Sequence, residues 1–352
     1  MIDPGRARYY RVVLTLAALY NAAFGLWAGL APDAFFRLLR LDPPRYPGIW
    51  QCLGMVVGLY GALYALAAHW LGRDADRERA RPLVAIGLAG KVLGPLGWAW
   101  TVARGEWPLR TVTLVLLDDV VWWLPFALLL SEGTRAGARA RAAAPWACAA
   151  LNAVAVLVLV TALRPGTEAA GDLPARLAYV AAHPVLWRGG WGAWLVAAVA
   201  LLGFYGWWAA RLDRDGARPS PWPRVAFVLA ALGIGCDFTG DALFLSWGTW
   251  PAPAAASVAA DAAALARLAA LCGGGLANAL YCAAGALLTW RTTLPRWLRA
   301  WAWAAWVSGF ALSAATVAGS VPAAMAASAA LFGLFCPLVV LLGRRLRVQD
   351  HP

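Results

Sequence analysis

The sequence predicts an all-α polytopic membrane bundle of about ten transmembrane helices, with both termini on the cytoplasmic side. Three observations predict it. The 352 residues are 62% hydrophobic and only 14% charged, with a mean hydropathy of +0.63, and a water-soluble surface needs far more charge. The apolar residues are gathered into runs of about 18–25, long enough to cross a hydrocarbon core of roughly 30 Å. The arginines fall almost entirely between those runs.

The runs place spans at about 12–31, 48–70, 83–103, 111–131, 146–163, 190–210, 225–247, 263–290, 300–318 and 322–343. With the N-terminus inside, the inside segments hold 20 arginines and the outside segments 8. That bias follows the positive-inside rule and requires an even number of spans. A net charge of +12 spread in this way is topological, and it excludes nucleic acid as a partner because no basic stripe or domain exists. Membrane lipid is the expected partner. Several of the 22 tryptophans stand at run ends (Trp50, Trp70, Trp107, Trp187, Trp247, Trp290, Trp297), where an amphipathic ring suits the headgroup level. The opening Met1-Ile-Asp-Pro-Gly lacks a cleavage pattern, so the first run is expected as a retained helix.

Segment Ser131–Pro145 (SEGTRAGARARAAAP) is polar, basic and rich in small residues. It divides the chain into a four-helix module (1–131), a basic cytoplasmic linker (132–145) and a six-helix module (146–352). No internal repeat joins the halves, so the repeat argument for a transporter has no support. In the longest outer loop, Leu173–Trp187 is apolar enough to lie along the interface as a short helix. The pairs Gly25/Gly29, Gly54/Gly58 and Gly90/Gly94 are each four apart, the spacing that lets helices approach closely in lipid, and Pro95 predicts a kink.

The ionisable residues inside the runs are the candidate site. Lys91 is the only lysine, against 29 arginines, and lies in mid-span. An ionisable group there faces the bundle interior and takes a partner. Spans three and four form a hairpin about Trp107, which brings Asp118 and Asp119 within about 6–8 Å of the depth of Lys91. Adjacent helical residues point about 100° apart, so one aspartate faces Lys91 and the other is expected to need a separate donor, Gln51 or Tyr60. Two readings are open: an ion pair that fixes helix register, or a titrating or ligand-binding site. A second cluster pairs Asp237 and Asp241 on one helix face, with Arg267 at the depth of Asp241 as the expected counter-ion. Asn278 and the triplet Gly273–Gly275 lie deeper on the helix of Arg267. Again a satisfied polar network and an excess carboxylate holding a proton or cation are both open.

No metal or cofactor is expected. The six cysteines lie within apolar runs as packing residues, without a CxxC motif. His69, His183 and His351 are scattered, the first two on opposite sides, and two carboxylates alone are a weak metal signature. His183-Pro184 before Trp187-Arg188 reads as an interfacial turn, and no GxSxG, P-loop, HExxH or dinucleotide fingerprint stands in a suitable context.

The stretches Tyr46-Pro-Gly-Ile-Trp-Gln-Cys-Leu-Gly-Met, Gly90-Lys-Val-Leu-Gly-Pro-Leu-Gly and Asp118-Asp-Val-Val-Trp-Trp-Leu-Pro-Phe resemble small bacterial four-helix membrane proteins of unknown function, DoxX-like in size and layout. The resemblance covers about 130 residues and implies a bacterial inner membrane. Such relatives carry Asn-Asp at Asp118-Asp119, which makes Asp119 the matching acid; no activity follows. The second module, with His183-Pro184, Trp187-Arg188 and Trp191, looks like other multi-span bacterial proteins without pointing to a family. The leading functional expectation is small-solute, lipid or proton-linked transport or binding. The alternatives are a membrane enzyme acting on a lipid, isoprenoid or quinone, and a non-catalytic membrane subunit.

Overall fold

A computed structural model describes residues 2, 4–38, 41–103, 106–108, 111, 115–215, 220–247 and 256–348. Among these residues the secondary structure is helical throughout, and nine helices are long and apolar enough to cross a membrane. The expected fourth span falls partly outside the described residues, and His351 lies outside them. The chain divides into two compact units, Met1–Ala138 and Arg139–Pro352.

In the first unit, α1 (Pro4–Leu30) ends where Pro32 opens the short α2 (Pro32–Leu38), since proline cannot continue the preceding hydrogen-bond ladder. Pro47 similarly starts α3 (Pro47–Leu71) at a position where a missing N–H costs nothing. After a 3₁₀ turn at Asp74–Arg79 come α4 (Ala80–Ala103), with Pro95 inside it, and α5 (Val121–Leu130), entered through a π-helical turn at Leu116–Val120.

Helices α1 and α3 pack along most of their length, and small residues permit it. A Cβ added at Gly25 would lie 2.7 Å from the Gly54 carbonyl oxygen and 2.8 Å from the Gly58 Cα. Within lipid, such backbone approach is a main source of helix association, because lipid tails are as apolar as the side chains. The third glycine pair does something else: Gly90 faces the Tyr60 ring and Gly94 faces the Asp119 carboxylate.

The linker expected at 132–145 is mostly helix. After Gly133, whose φ of 74° favours glycine, α6 (Arg135–Val158) begins inside it. Alanines and arginines are good helix formers, so a basic, alanine-rich segment joins the following span instead of forming a loop. Glu132 is buried: it accepts from Arg6 at 2.9 Å and from the Tyr10 hydroxyl at 2.7 Å, while Arg81 donates to the carbonyls of Leu130 and Glu132. These bonds tie α1, α4 and the end of α5 together.

In the second unit α6 runs into a π turn at Leu159–Leu163 and a 3₁₀ turn at Arg164–Gly166. Asp172 caps α7 (Leu173–Ala182) by accepting from the Ala175 N–H at 3.0 Å. The long α8 (Pro184–Asp215) starts at Pro184, earlier than the apolar run suggested. Trp187 is therefore a core residue of a helix long and apolar enough to cross a membrane, fully buried with its indole donating to the Phe244 carbonyl at 2.7 Å. Trp50 is likewise buried, stacked on Phe35, whereas Trp290 and Trp297 are exposed at helix ends. Then follow α9 (Trp222–Trp247) and α10 (Ala256–Ala270), which passes through a π stretch at Leu271–Ala277 into α11 (Asn278–Arg291). The unit closes with α12 (Arg296–Ala318), Gly319 at φ 73° ending it, and α13 (Val321–Val348).

Candidate functional site

Each unit holds one of the expected charge clusters. In the first, Lys91 on α4 places its ammonium 3.1 Å from Asp118 and 3.3 Å from Asp119, so both aspartates grip it. The expectation that one acid would need Gln51 or Tyr60 is corrected. Asp118 and Asp119 sit in the π turn, whose wider winding departs from the 100° step of an α-helix and presents both carboxylates to one side. Gln51 instead donates to the Gly29 carbonyl at 2.8 Å.

The third partner of Lys91 is Asn21 on α1, whose side-chain oxygen accepts at 3.2 Å while its amide donates to the Ala17 carbonyl. The ammonium donates to Asn21 and Asp118 and is ion-paired with Asp119 as well, and the side chains are nearly closed to solvent. Gly94 makes room for this: a Cβ there would stand 2.5 Å from an Asp119 oxygen. Trp123 donates to the Lys91 carbonyl at 2.9 Å, fixing α5 against the same turn of α4. The cluster is a satisfied ion triad joining three helices. Asn21 was missed in the sequence, although a lone amide within an apolar run was the available signal.

The second cluster borders open space. A cavity of about 540 Å³ lies within the second unit. One wall is α9, where Gly233, Asp237, Gly240 and Asp241 share a face. Gly233 leaves room for the Tyr281 ring, and Gly240 lets α9 approach the Ala269 backbone. Tyr281 on α11 donates to Asp237 at 3.2 Å and accepts, through its carbonyl, a bond of 2.7 Å from Tyr205 on α8. Asp241 is only 5% exposed, and its Oδ2 has no hydrogen-bond partner. Among the described residues neither acid has an ion-pair partner.

Arg267 is not the counter-ion of Asp241. It lines the same cavity but donates to the carbonyls of Thr316 and Val317, at 2.6 Å each. The last turn of α12 has carbonyls without helical partners and carries the negative end of the helix dipole, and that position wins the guanidinium. Asn278 is also engaged elsewhere, with the Gly309 carbonyl at 2.6 Å and the Ser313 hydroxyl at 2.9 Å. The triplet Gly273–Gly275 lies in the π stretch, and Gly273 and Gly274 line the cavity.

Aromatic rings supply much of the remaining wall, with Trp191 stacked on Phe244 at 4.3 Å and Trp194, Trp306, Phe332 and Phe335 beyond. The exposed Arg164 and Glu168 mark the mouth, beside the turn at Gly319–Val321. Arg176, also at the mouth, is buried with its Nε bonded to the Gly166 carbonyl, and burial pulls its pKa below the ordinary guanidinium value. Asn152 and Tyr281 are site residues that sequence reading missed; Tyr281 stands one turn after Asn278, on the same side of α11. Among the described residues no three or more His, Cys, Asp or Glu side chains converge as metal ligands. No family model matches the chain, and no curated protein or solved structure matches it either.

Proposed function

We propose that the protein is a ten-span membrane protein, oriented with both ends inside, whose second unit binds a small amphipathic molecule for storage or passage across the membrane. The arginine asymmetry supports the orientation, and the DoxX-like resemblance supports a bacterial inner membrane. The observation that carries the binding reading is the cavity of about 540 Å³ with a buried, unpartnered carboxylate in its wall. Its size falls within the range of small-molecule sites, and mostly apolar walls with a few polar groups are their usual build. The π stretch beside it adds to the case, because such helix irregularities gather at sites of function. The Lys91 triad, with two carboxylates and the Asn21 oxygen around the ammonium, serves as a helix lock on this reading.

The test is tryptophan fluorescence of the full chain in nanodiscs, titrated with a panel of amphipathic amines, alcohols and acids. Trp191, Trp194 and Trp306 line the cavity and report occupancy. Saturable quenching in the wild type, lost when Ala324→Phe and Ser328→Phe together fill the cavity, supports the proposal. Equal quenching in the filled variant refutes it.

A second reading, an enzyme acting on such a molecule, is favoured by one observation. Asp237 and the Tyr281 hydroxyl are hydrogen-bonded within the cavity wall, a pairing suited to proton transfer. Mass spectrometry of lipids and quinones incubated with proteoliposomes tests it: a product that Tyr281→Phe abolishes supports the reading, and unchanged reactants refute it.

A further inference from the structure

Resting on the binding proposal, the geometry points to an organic cation as the ligand class: an ammonium seated against Asp237 and Asp241, with its apolar body along the aromatic wall.

Two carboxylates one helical turn apart lie in a cavity wall, and the one donor to them among the described side chains is the Tyr281 hydroxyl, on Asp237. Of the cationic and amide donors in the wall, Arg267 is committed to Thr316 and Val317 of α12, and Asn278 to Gly309 and Ser313. Asp241, a residue of the cavity wall, thus has at Oδ2 a buried acceptor with nothing to accept from. Native proteins rarely leave such an atom orphaned, and a ligand that brings its own donor is one of the few physical reasons for it. A carboxylate recognises an ammonium through short, charge-assisted bonds that are about twice as strong as neutral ones.

The rest of the wall suits the same guest. Trp191, Trp194 and Trp306 line the cavity, and indole rings attract cations and cover apolar carbon alike. The first unit offers an internal comparison: there two aspartates also share a site, and the chain supplies Lys91 to hold them. In the second unit the equivalent ammonium has to come from outside the chain. The lining also holds Arg164, Arg176 and Arg267 against Glu168, so an anionic ligand held by these arginines is the rival that the test must separate.

The experiment is calorimetric titration of the full chain in nanodiscs with phenylbutylamine, phenylbutanol and phenylbutyrate. These share one body and differ in the polar end, and the amine is charged at neutral pH. The expected result is at least about tenfold tighter binding of the amine than of either other compound, a difference of about 1.4 kcal/mol. Asp241→Asn should remove most of that preference while alcohol binding changes less than about twofold. If Asp241→Asn fails to fold, as read by thermal unfolding, Asp237→Asn and the wild-type preference decide. Alcohol binding as tight as the amine overturns the cation, because the acids then act as neutral groups, yet leaves the binding proposal standing. Phenylbutyrate binding tightest also overturns it, in favour of the lining arginines. If none of the three binds the wild type better than the variant with Ala324→Phe and Ser328→Phe, both this inference and the binding proposal fall.

Discussion

The hydroxyl of Tyr281 donates to Oδ2 of Asp237 across 3.2 Å, while Asp241, one turn further along α9, receives nothing at its own Oδ2. Two acids on one face of one helix are therefore in different states of satisfaction. A group kept only for packing would have acquired a donor or lost its charge, so the difference has consequences that measurement can reach.

Asp241→Asn should stabilise the protein. The amide is nearly isosteric and carries no charge, so the penalty of burying an unpaired carboxylate falls to that of a neutral polar group, about 1–3 kcal/mol. Thermal unfolding in nanodiscs should show a rise in midpoint. A fall would mean that the carboxylate has a structural partner and that its role is to hold the bundle together.

The Lys91 triad should behave in the opposite way. Lys91→Met leaves two buried carboxylates facing each other and should cost about 3–5 kcal/mol. Adding Asp118→Asn and Asp119→Asn to Lys91→Met should recover a large part of that loss, since the uncompensated charge then disappears. Unfolding of the single and triple variants reads the coupling, and a triple variant as unstable as the single one would contradict it.

The glycines of α1 should separate cleanly. Gly25→Ala puts a methyl 2.7 Å from the Gly54 carbonyl oxygen and should destabilise by about 1–3 kcal/mol. Gly29→Ala meets nothing within 4 Å and should be neutral or slightly stabilising, as alanine favours helix. Equal effects at the two positions would show that the α1–α3 contact does not depend on close backbone approach.

Arg267→Met should loosen the end of α12 without touching the acids. Its guanidinium serves the Thr316 and Val317 carbonyls, so hydrogen exchange should accelerate in that last turn and at Gly319 and Ser320, whose N–H groups bond back into it. Exchange changes centred on Asp241 instead would restore the counter-ion reading.

Much of this architecture is legible in the residues. Apolar run lengths predict the spanning helices, because crossing hydrocarbon demands a minimum length and internal satisfaction of every backbone group. Hairpin depth predicts Lys91 with Asp118 or Asp119, since rise per residue is a fixed quantity. What failed did so for tertiary or irregular reasons. Regular α-helical stepping misjudged the second acid, because the π turn at Leu116–Val120 is not encoded by periodicity. Arg267 found its partners about 50 positions away on α12, beyond any local argument. Trp187 stands at the end of an apolar run yet inside α8, because apolar runs say where a helix is comfortable in lipid and not where it starts. The cavity itself was illegible: an absence of atoms is made by several helices at once, and no one of them carries its pattern.

The π turn beneath Asp118 and Asp119 has a further meaning. Such a turn is in effect one residue inserted into an ordinary helix. The double grip on Lys91 is thus a property of chain length rather than of composition. A descendant that lost Leu116 or Leu117 would keep its aspartates, its lysine and nearly all of its hydropathy profile. It would nonetheless swing one acid away from the lysine, leaving a buried charge looking for company. Insertions and deletions there, more than substitutions, are the changes by which evolution would turn a lock of this kind into an open site.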